Sequence, residues 1–350
     1  MSDFVHLHNH THYSLLDAIA TPKQLIEAAK ADGQPAIALT DHGVMFGIRE
    51  FYNIATAEEI KPLIGMEAYV ANGSRFEKKG GRKKNGEKKE RNYFHLVLLA
   101  KNMEGYHNLL KLSSLAFTEG FYYKPRIDRE LLEKYHEGLV ATSACIGGVV
   151  NAHLIDGEEE KAWEAARFYS DLFGDDFYLE LQYHHLDKDE TIIKKIPEMA
   201  KELGVKMVAT NDIHYMSKDH AVTHNVMLLI RDATSANSGT FDIEDLRYGT
   251  PEMYFRTEAE MKELFRDFPE AITNTLEVAE KCDVKFENKL HMPEFPIPEE
   301  SGAKNLEEYL ELLTKQGLEE IYGKICEDLS DEIKDRMKHE LGIINGMGFP

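Results

Sequence analysis

Seven short runs of strand-forming residues are spaced along the chain: Phe4–His8, Ala36–Thr40, Leu63–Val70, Phe94–Ala100, Gly138–Thr142, Phe177–Leu181 and Val205–Thr210. Between several of them lie helix-patterned stretches such as Pro22–Ala31, which Thr21 opens as N-cap with Pro22 at the first helical position. Glu158–Leu172 and Thr191–Leu203 read the same way, the latter with a kink or break expected at Pro197. Strands separated by helices return to their sheet by crossovers, so this alternation predicts parallel βα units. Seven such units are enough to curl into a barrel. After about residue 255 the pattern changes to charged amphipathic helices, Thr257–Phe265, Pro269–Lys281, Asn305–Glu320 and Asp331–Ile344, with Pro293, Pro296 and Pro298 marking an extended connector. The expectation is an α/β chain, with a barrel over 1–280 and a smaller, mainly helical segment over 281–350.

Composition excludes several function classes. No apolar run approaches the roughly 20 residues needed to span a bilayer, and no basic-then-apolar leader is visible at the N-terminus. Cys145, Cys282 and Cys326 are too few for a disulfide framework and fit a reducing cytoplasm. A net charge of -21 argues against broad adhesion to nucleic acid. Against that background Arg75–Arg91 carries nine Lys/Arg and three Glu, broken by glycines, and reads as a mobile basic loop, either simply solvated or in contact with a phosphate backbone.

The metal-competent side chains fall in a telling place. His6, His8, His10 and His12 alternate off the end of the first run, and Asp41-His42 closes the second. Glu67 lies in the third, His95 in the fourth, Cys145 after the fifth, and Asp212 and His214 after the seventh. In βα barrels the C-terminal strand ends converge on one mouth, where active sites form. Any one of these residues alone would read as a solvated edge or a core residue. A single mouth lined with unpaired carboxylates and imidazoles would be strongly destabilising without cations. Imidazole, carboxylate and one thiol suit zinc, manganese or iron, and the number of ligands implies two or three ions. Clustered divalent ions serve phosphoester hydrolysis. No Ser-His-Asp elbow, Walker loop or dinucleotide fingerprint competes with that reading.

The motifs His8-Asn9-His10-Thr11, Ser14-Leu15-Leu16-Asp17, Thr40-Asp41-His42-Gly43, Ile64-Gly65-Met66-Glu67-Ala68-Tyr69 and Ala209-Thr210-Asn211-Asp212 resemble the polymerase-and-histidinol-phosphatase (PHP) domain. More narrowly, with Gly120–Asp128 and Ile344–Pro350, they resemble the version at the N-terminus of bacterial DNA polymerase III alpha subunits. The resemblance covers essentially the whole chain. It implies a distorted seven-stranded barrel with a trinuclear metal centre held by His8, His10, Asp17, His42, Glu67, His95, Cys145, Asp212 and His214. Of these, His8, His10, Asp17, His42, Glu67 and Asp212 would be catalytic. His6 then becomes a neighbour of the ligands or a mouth residue, and His12 incidental. Ala18 stands where the family usually has glycine. The implied activity is a 3′–5′ proofreading exonuclease on the DNA primer end, with Lys124 and Arg126 as candidate phosphate contacts and other replisome subunits as partners. His184 and His185 read as solvated loop residues. The resemblance also makes the chain a fragment: the segment after about 281 would begin the polymerase palm, and a core lying further on would have to supply polymerisation. Two alternatives stand beside the nuclease: a metal-stabilised structural module supporting that core, and a histidinol-phosphate-type phosphatase.

Overall fold

The computed structural model describes residues 2–78, 91–233, 242–287, 289, 292–293 and 295–350. They divide into two units, Met1–Phe286 and Glu287–Pro350.

In the first unit seven strands form one curled sheet: β1 (Ala36–Leu39), β2 (Lys61–Ala71), β3 (Tyr93–Ala100), β4 (Arg126–Ile127), β5 (Leu139–Thr142), β6 (Phe177–Leu181) and β7 (Lys206–Ala209). The order is β1-β2-β3-β5-β6-β7, with the two-residue β4 lying against β2. Sheet residues of β1, β5 and β6 are buried throughout, as expected of strands covered on both faces. Helices pack outside the sheet, and Thr21 caps Pro22–Ala31 through a reciprocal capping box with Gln24. The helix Asp189–Leu203 runs through Pro197 without a break.

The all-parallel expectation fails at β3, which pairs antiparallel to both β2 and β5. No helix lies among the described residues between β2 and β3, and antiparallel neighbours do not require the crossover that parallel pairing needs. The first run also departs from expectation, since residues 4–8 form no regular strand. Side chains occupy much of its would-be ladder: the Val5 N–H donates to Thr275 Oγ1, His6 N–H to the Gln34 side chain and Asn9 N–H to Thr40 Oγ1. The segment nonetheless joins the two sheet edges. Ala38 and Thr40 N–H donate to the carbonyls of His6 and Asn9 beside β1. Past the end of β7, Ile213 N–H donates to the His8 carbonyl while its own carbonyl accepts from His10 N–H. The result is a distorted barrel closed by an irregular stave.

Of the Arg75–Arg91 loop, residues 79–90 lie outside the described residues. Arg75 itself is buried, with Asp128 at 3.0 Å, Glu119 at 2.7 Å and Glu130 at 3.0 Å. It is a structural ion-pair centre, not a solvated loop cation. The second unit contains the helices Leu306–Tyr322 and Asp331–Gly346, with Cys326 and Leu329 buried. All three cysteines are free and buried.

Candidate metal centre

The candidate ligands come to the barrel mouth by three routes. The irregular stave delivers His8 and His10. The turns after β1, β5 and β7 deliver His42, Cys145, and Asp212 with His214. β2 and β3 deliver Glu67 and His95. Because β3 runs antiparallel, its beginning lies beside the later half of β2, and Tyr69 pairs with His95. Hence a residue near a strand start joins residues near strand ends.

Several turns here are strained or very tight. Leu16, Ala144 and Asp212 have φ of 58°, 59° and 49°, a left-handed conformation costly for residues with a Cβ. Two directly precede Asp17 and Cys145, and the third is a candidate ligand itself. Gly148 admits no side chain, since a Cβ would come within 1.9 Å of the Ser143 carbonyl oxygen. Ala18, in place of glycine, has no positive φ and is accommodated without difficulty.

Glu67 is the hub. Its Oε1 lies 3.2 Å from His8 Nε2, 2.9 Å from His95 Nδ1 and 3.6 Å from Cys145 Sγ. Its Oε2 lies 2.5 Å from His42 Nδ1 and 3.7 Å from His10 Nε2. Asp212 Oδ1 approaches His8 Nε2 at 3.3 Å and His10 Nε2 at 3.0 Å. Three ligand groups result, His10/His42/His214, His8/His10/Asp212 and His42/Glu67/His95, overlapping at His10 and His42. Cys145 touches the third through His95 at 3.4 Å. Asp17 lies further out, meeting the groups through His42 Nε2 at 3.1 Å, and is held by Arg231 at 2.7 Å and by the Tyr248 hydroxyl.

The electrostatics describe a site that wants cations. Burial works against charge on His8, but Glu180, Asp212 and Glu67 outweigh it and lift its pKa well above the ordinary range. At His42 burial is likewise overcome by Glu67 and Asp17, and the pKa rises to about 10. His10, buried and facing His42 and His214, falls to about 3. Burial alone would raise Glu67, yet His95, His8 and His42 hold it well below its usual value. Asp212 is held down by His8 and His214 against the same burial penalty, and Asp17 by His42. His8 and His42 are thus drawn toward their charged forms by the same contacts that favour the ionised forms of Glu67, Asp212 and Asp17. Glu67 Oε2, Asp212 Oδ1 and His42 Nδ1 are buried and crowded by one another and by His10, yet none makes a hydrogen bond of good geometry, as a buried polar atom normally does. Convergent acceptors of this kind, with nitrogen, oxygen and sulfur ligands, fit divalent transition ions.

Other residues fall elsewhere. His6 is fully buried between Phe4 and Phe255, its Nε2 donating to the Arg256 carbonyl at 2.7 Å, so it belongs to the core and not to the mouth. His12 is exposed. His184 is buried with its Nε2 on the Asn211 carbonyl at 3.0 Å, contrary to the solvated reading, whereas His185 is exposed. Arg126 is also buried, and its guanidinium donates to the carbonyls of Gly120, Arg75 and Glu77, which removes it as a phosphate contact. Lys124 stays near the mouth, its Nζ 5.1 Å from the centre of the Tyr69 ring that also faces His42.

Two further buried carboxylates support the ligands: Asp41, which the sequence marks only as a mouth residue, and Glu180, which no motif marks. Asp41 accepts from Thr11 N–H and Ser14 Oγ, both at 2.7 Å, and clasps the loop that carries Asp17. Glu180 contacts His8 Nδ1 at 2.7 Å. The available signal was a lone charge inside the apolar strand Phe-Tyr-Leu-Glu-Leu.

The PHP domain family matches residues 6–184. The DNA polymerase III subunit alpha of Borreliella burgdorferi is 43% identical over 351 residues, covering 99% of this chain and 29% of that protein. That of Aquifex aeolicus is 41% identical over 356 residues, covering 99% and 30%. The chain therefore spans under a third of the length of these relatives. Among solved structures, a two-domain protein of Bacteroides vulgatus containing a predicted PHP-like metal-dependent phosphoesterase aligns over 78% of this chain and 62% of its own, at 15% identity and a TM-score of 0.37. With the family matched across more than half of its residues, the chain belongs to the PHP domain family.

Proposed function

We propose that the barrel is a metal-dependent phosphodiesterase acting as a 3′–5′ proofreading exonuclease within a DNA polymerase III alpha subunit. The observation that carries this reading is the hub: one buried carboxylate, Glu67, in contact with His8, His10, His42, His95 and Cys145 at once. His8, His10, Asp17, His42, Glu67, His95, Cys145, Asp212 and His214 would hold two to three divalent ions, zinc, manganese or iron. Bound ions supply Lewis acidity toward water and the phosphoryl oxygens. The chain's own part is to fix its ligands in a buried mouth that excludes bulk water. Lys124, beside that mouth, would meet the phosphate.

A single-stranded DNA end is the substrate favoured by the rim. Phe46 follows His42 by four residues, and the rings of Phe46, Phe117 and Phe121 follow one another at 6.4 and 6.1 Å while being 61%, 40% and 49% exposed. Exposed aromatic rings on which successive bases stack are one way single strands are held without sequence preference. Residues 281–350 would begin the polymerase palm, the polymerase core would act in cis from beyond this segment, and the chain would not polymerise DNA by itself. Replisome subunits are the expected partners, in the cytoplasm, and no helix among the described residues is long and apolar enough to cross a membrane.

The test is to purify the chain, measure its metal content, and compare release of 3′ nucleotides from a mismatched primer with release of phosphate from histidinol phosphate. Nucleotide release that disappears in His10→Ala supports the proposal. Bound metal with neither activity overturns it in favour of the structural module, and activity on histidinol phosphate alone favours the phosphatase.

A further inference from the structure

Glu180 lies, like Glu67 and His95, within a regular strand instead of a loop or turn. It occupies the fourth position of β6, fully buried, with β5 on one side and β7 on the other. A buried carboxylate among apolar neighbours is costly unless its oxygens are engaged. Here four groups converge on them. The Thr142 hydroxyl donates to Oε2 from the end of β5, and the Thr210 hydroxyl donates to Oε1 from just beyond β7. Gln182 Nε2 donates to Oε1 at 2.8 Å, and His8 Nδ1 lies 2.7 Å from the same oxygen.

These contacts assign the histidine's nitrogens. A carboxylate only accepts, and its other three partners are already donors, so the short contact requires the proton on His8 Nδ1. Gln182 Nε2 also approaches that nitrogen, but at 3.3 Å it is the weaker partner. Nε2 faces the hub, where Glu67, His10 and Asp212 converge within 3.3 Å, so a bound ion that displaces any Nε2 proton would meet its lone pair. Metal-binding histidines take this arrangement, the outer nitrogen donating to a carboxylate that fixes ring and tautomer.

We infer that Glu180 is a positioning residue of the metal centre: held by Thr142, Thr210 and Gln182, it locks His8 with Nε2 presented to the ion. This rests on the metal-centre reading. It gives Thr142 and Thr210 a role as well, because two hydroxyls on neighbouring strands stop the carboxylate from turning away from His8.

The experiment uses the 350-residue chain as zinc and cobalt forms, with affinity measured against a competing chelator and the visible absorption of the cobalt form recorded. Glu180→Gln keeps the side chain's shape but supplies a neutral and weaker acceptor. It should lower zinc affinity by roughly ten- to a hundredfold and shift the cobalt bands. Thr210→Val, which leaves the charge in place and loosens its orientation, should give a smaller loss and a shift in the same direction. It also serves as the measurable variant if Glu180→Gln does not fold. Variants that melt at lower temperature yet bind zinc like the parent, with unchanged cobalt bands, would make Glu180 merely structural and overturn the inference. A parent chain that binds neither metal would instead overturn the metal centre itself, so the two failures are distinguishable.

Discussion

Stripping the metals should lower the barrel's thermal midpoint, by an amount that can be worked out beforehand. The three ligand groups share His10 and His42, so they cannot all be independent, and two sites are the working number. At free metal about a hundredfold above Kd, each site that binds only the folded state adds about 2.7 kcal/mol. Two sites give about 5 kcal/mol. The unit Met1–Phe286 should have an unfolding entropy of roughly 0.6 kcal/mol per kelvin at its midpoint. The expected drop is therefore about 9 °C. Scanning calorimetry with and without chelator measures it, followed by zinc or manganese titrated back. Residues 287–350 contain none of the three ligand groups, so a separate transition from that unit should not move. Glu67→Gln, which weakens the hub, should shrink the chelator effect to a fraction of the parent's. A midpoint indifferent to chelator would refute the reasoning, and so would an equal shift in Glu67→Gln, since the stabilisation would then arise elsewhere.

Three further outcomes follow from particular contacts. Asp41→Ala strands the Thr11 N–H and the Thr11 and Ser14 hydroxyls in a buried loop; at about 1 kcal/mol or more for each unsatisfied donor, urea unfolding should show a loss of about 3 kcal/mol. His6 is pushed by burial from 6.5 down to about 4, so the unfolded chain takes up its proton first as pH falls. The contribution of His6 is constant above about pH 6.5 and falls by about 3 kcal/mol between there and pH 4; His6→Gln should flatten the stability profile in that window alone, and a difference from the parent that stays constant with pH would refute the assignment. Phe117→Ser, in the middle of the exposed aromatic row, should cost roughly 1–3 kcal/mol of affinity for a single-stranded oligonucleotide in fluorescence anisotropy, and unchanged binding would remove that row from the DNA path.

How much was legible in the sequence depended on whether one segment carried the information. Six of the seven expected runs became strands because short β-branched and apolar stretches bounded by turns need nothing remote to be recognised. The Thr21 cap and the later helices are local in the same way. The stave at residues 4–10 was misread because what displaces its ladder is remote: Gln34, Thr40 and Thr275 occupy its N–H groups. The strand–helix alternation suggests parallel pairing for β3, although no helix lies between β2 and β3 among the described residues, and its antiparallel orientation is what lets His95 reach the mouth. Glu180 carries no motif, and Asp41 reads only as a mouth residue, because spacing marks ligands but not what holds them. Glu180's partners Thr142 and Thr210 lie 38 and 30 residues away. Arg126 misled for the opposite reason: a cation in a family-like motif invites a phosphate, and only its three carbonyl partners show where it went.

The distribution of strain ties these points to function. Six non-glycine residues among those described have positive φ, and three of them are Leu16, Ala144 and Asp212 at the mouth. Each such conformation costs on the order of 1–3 kcal/mol, and the mouth also packs the carboxylates of Asp17, Glu67 and Asp212 into one buried site. Local energetics therefore oppose this arrangement twice, in the backbone and in the charge. What resists relaxation is regular structure behind it: Glu180 from the middle of β6, Glu67 from the middle of β2, and Asp41 clasping the loop that ends in Asp17. A site chosen for folding alone would have relieved such costs with apolar residues, as buried charges usually allow. Divalent ions relieve the charge half and leave the backbone half in place, so the metal-free barrel should be loosest at residues 14–17, 143–145 and 211–214. Hydrogen exchange should show those three turns gaining protection together on metal binding, while the centres of β2 and β6 stay unchanged.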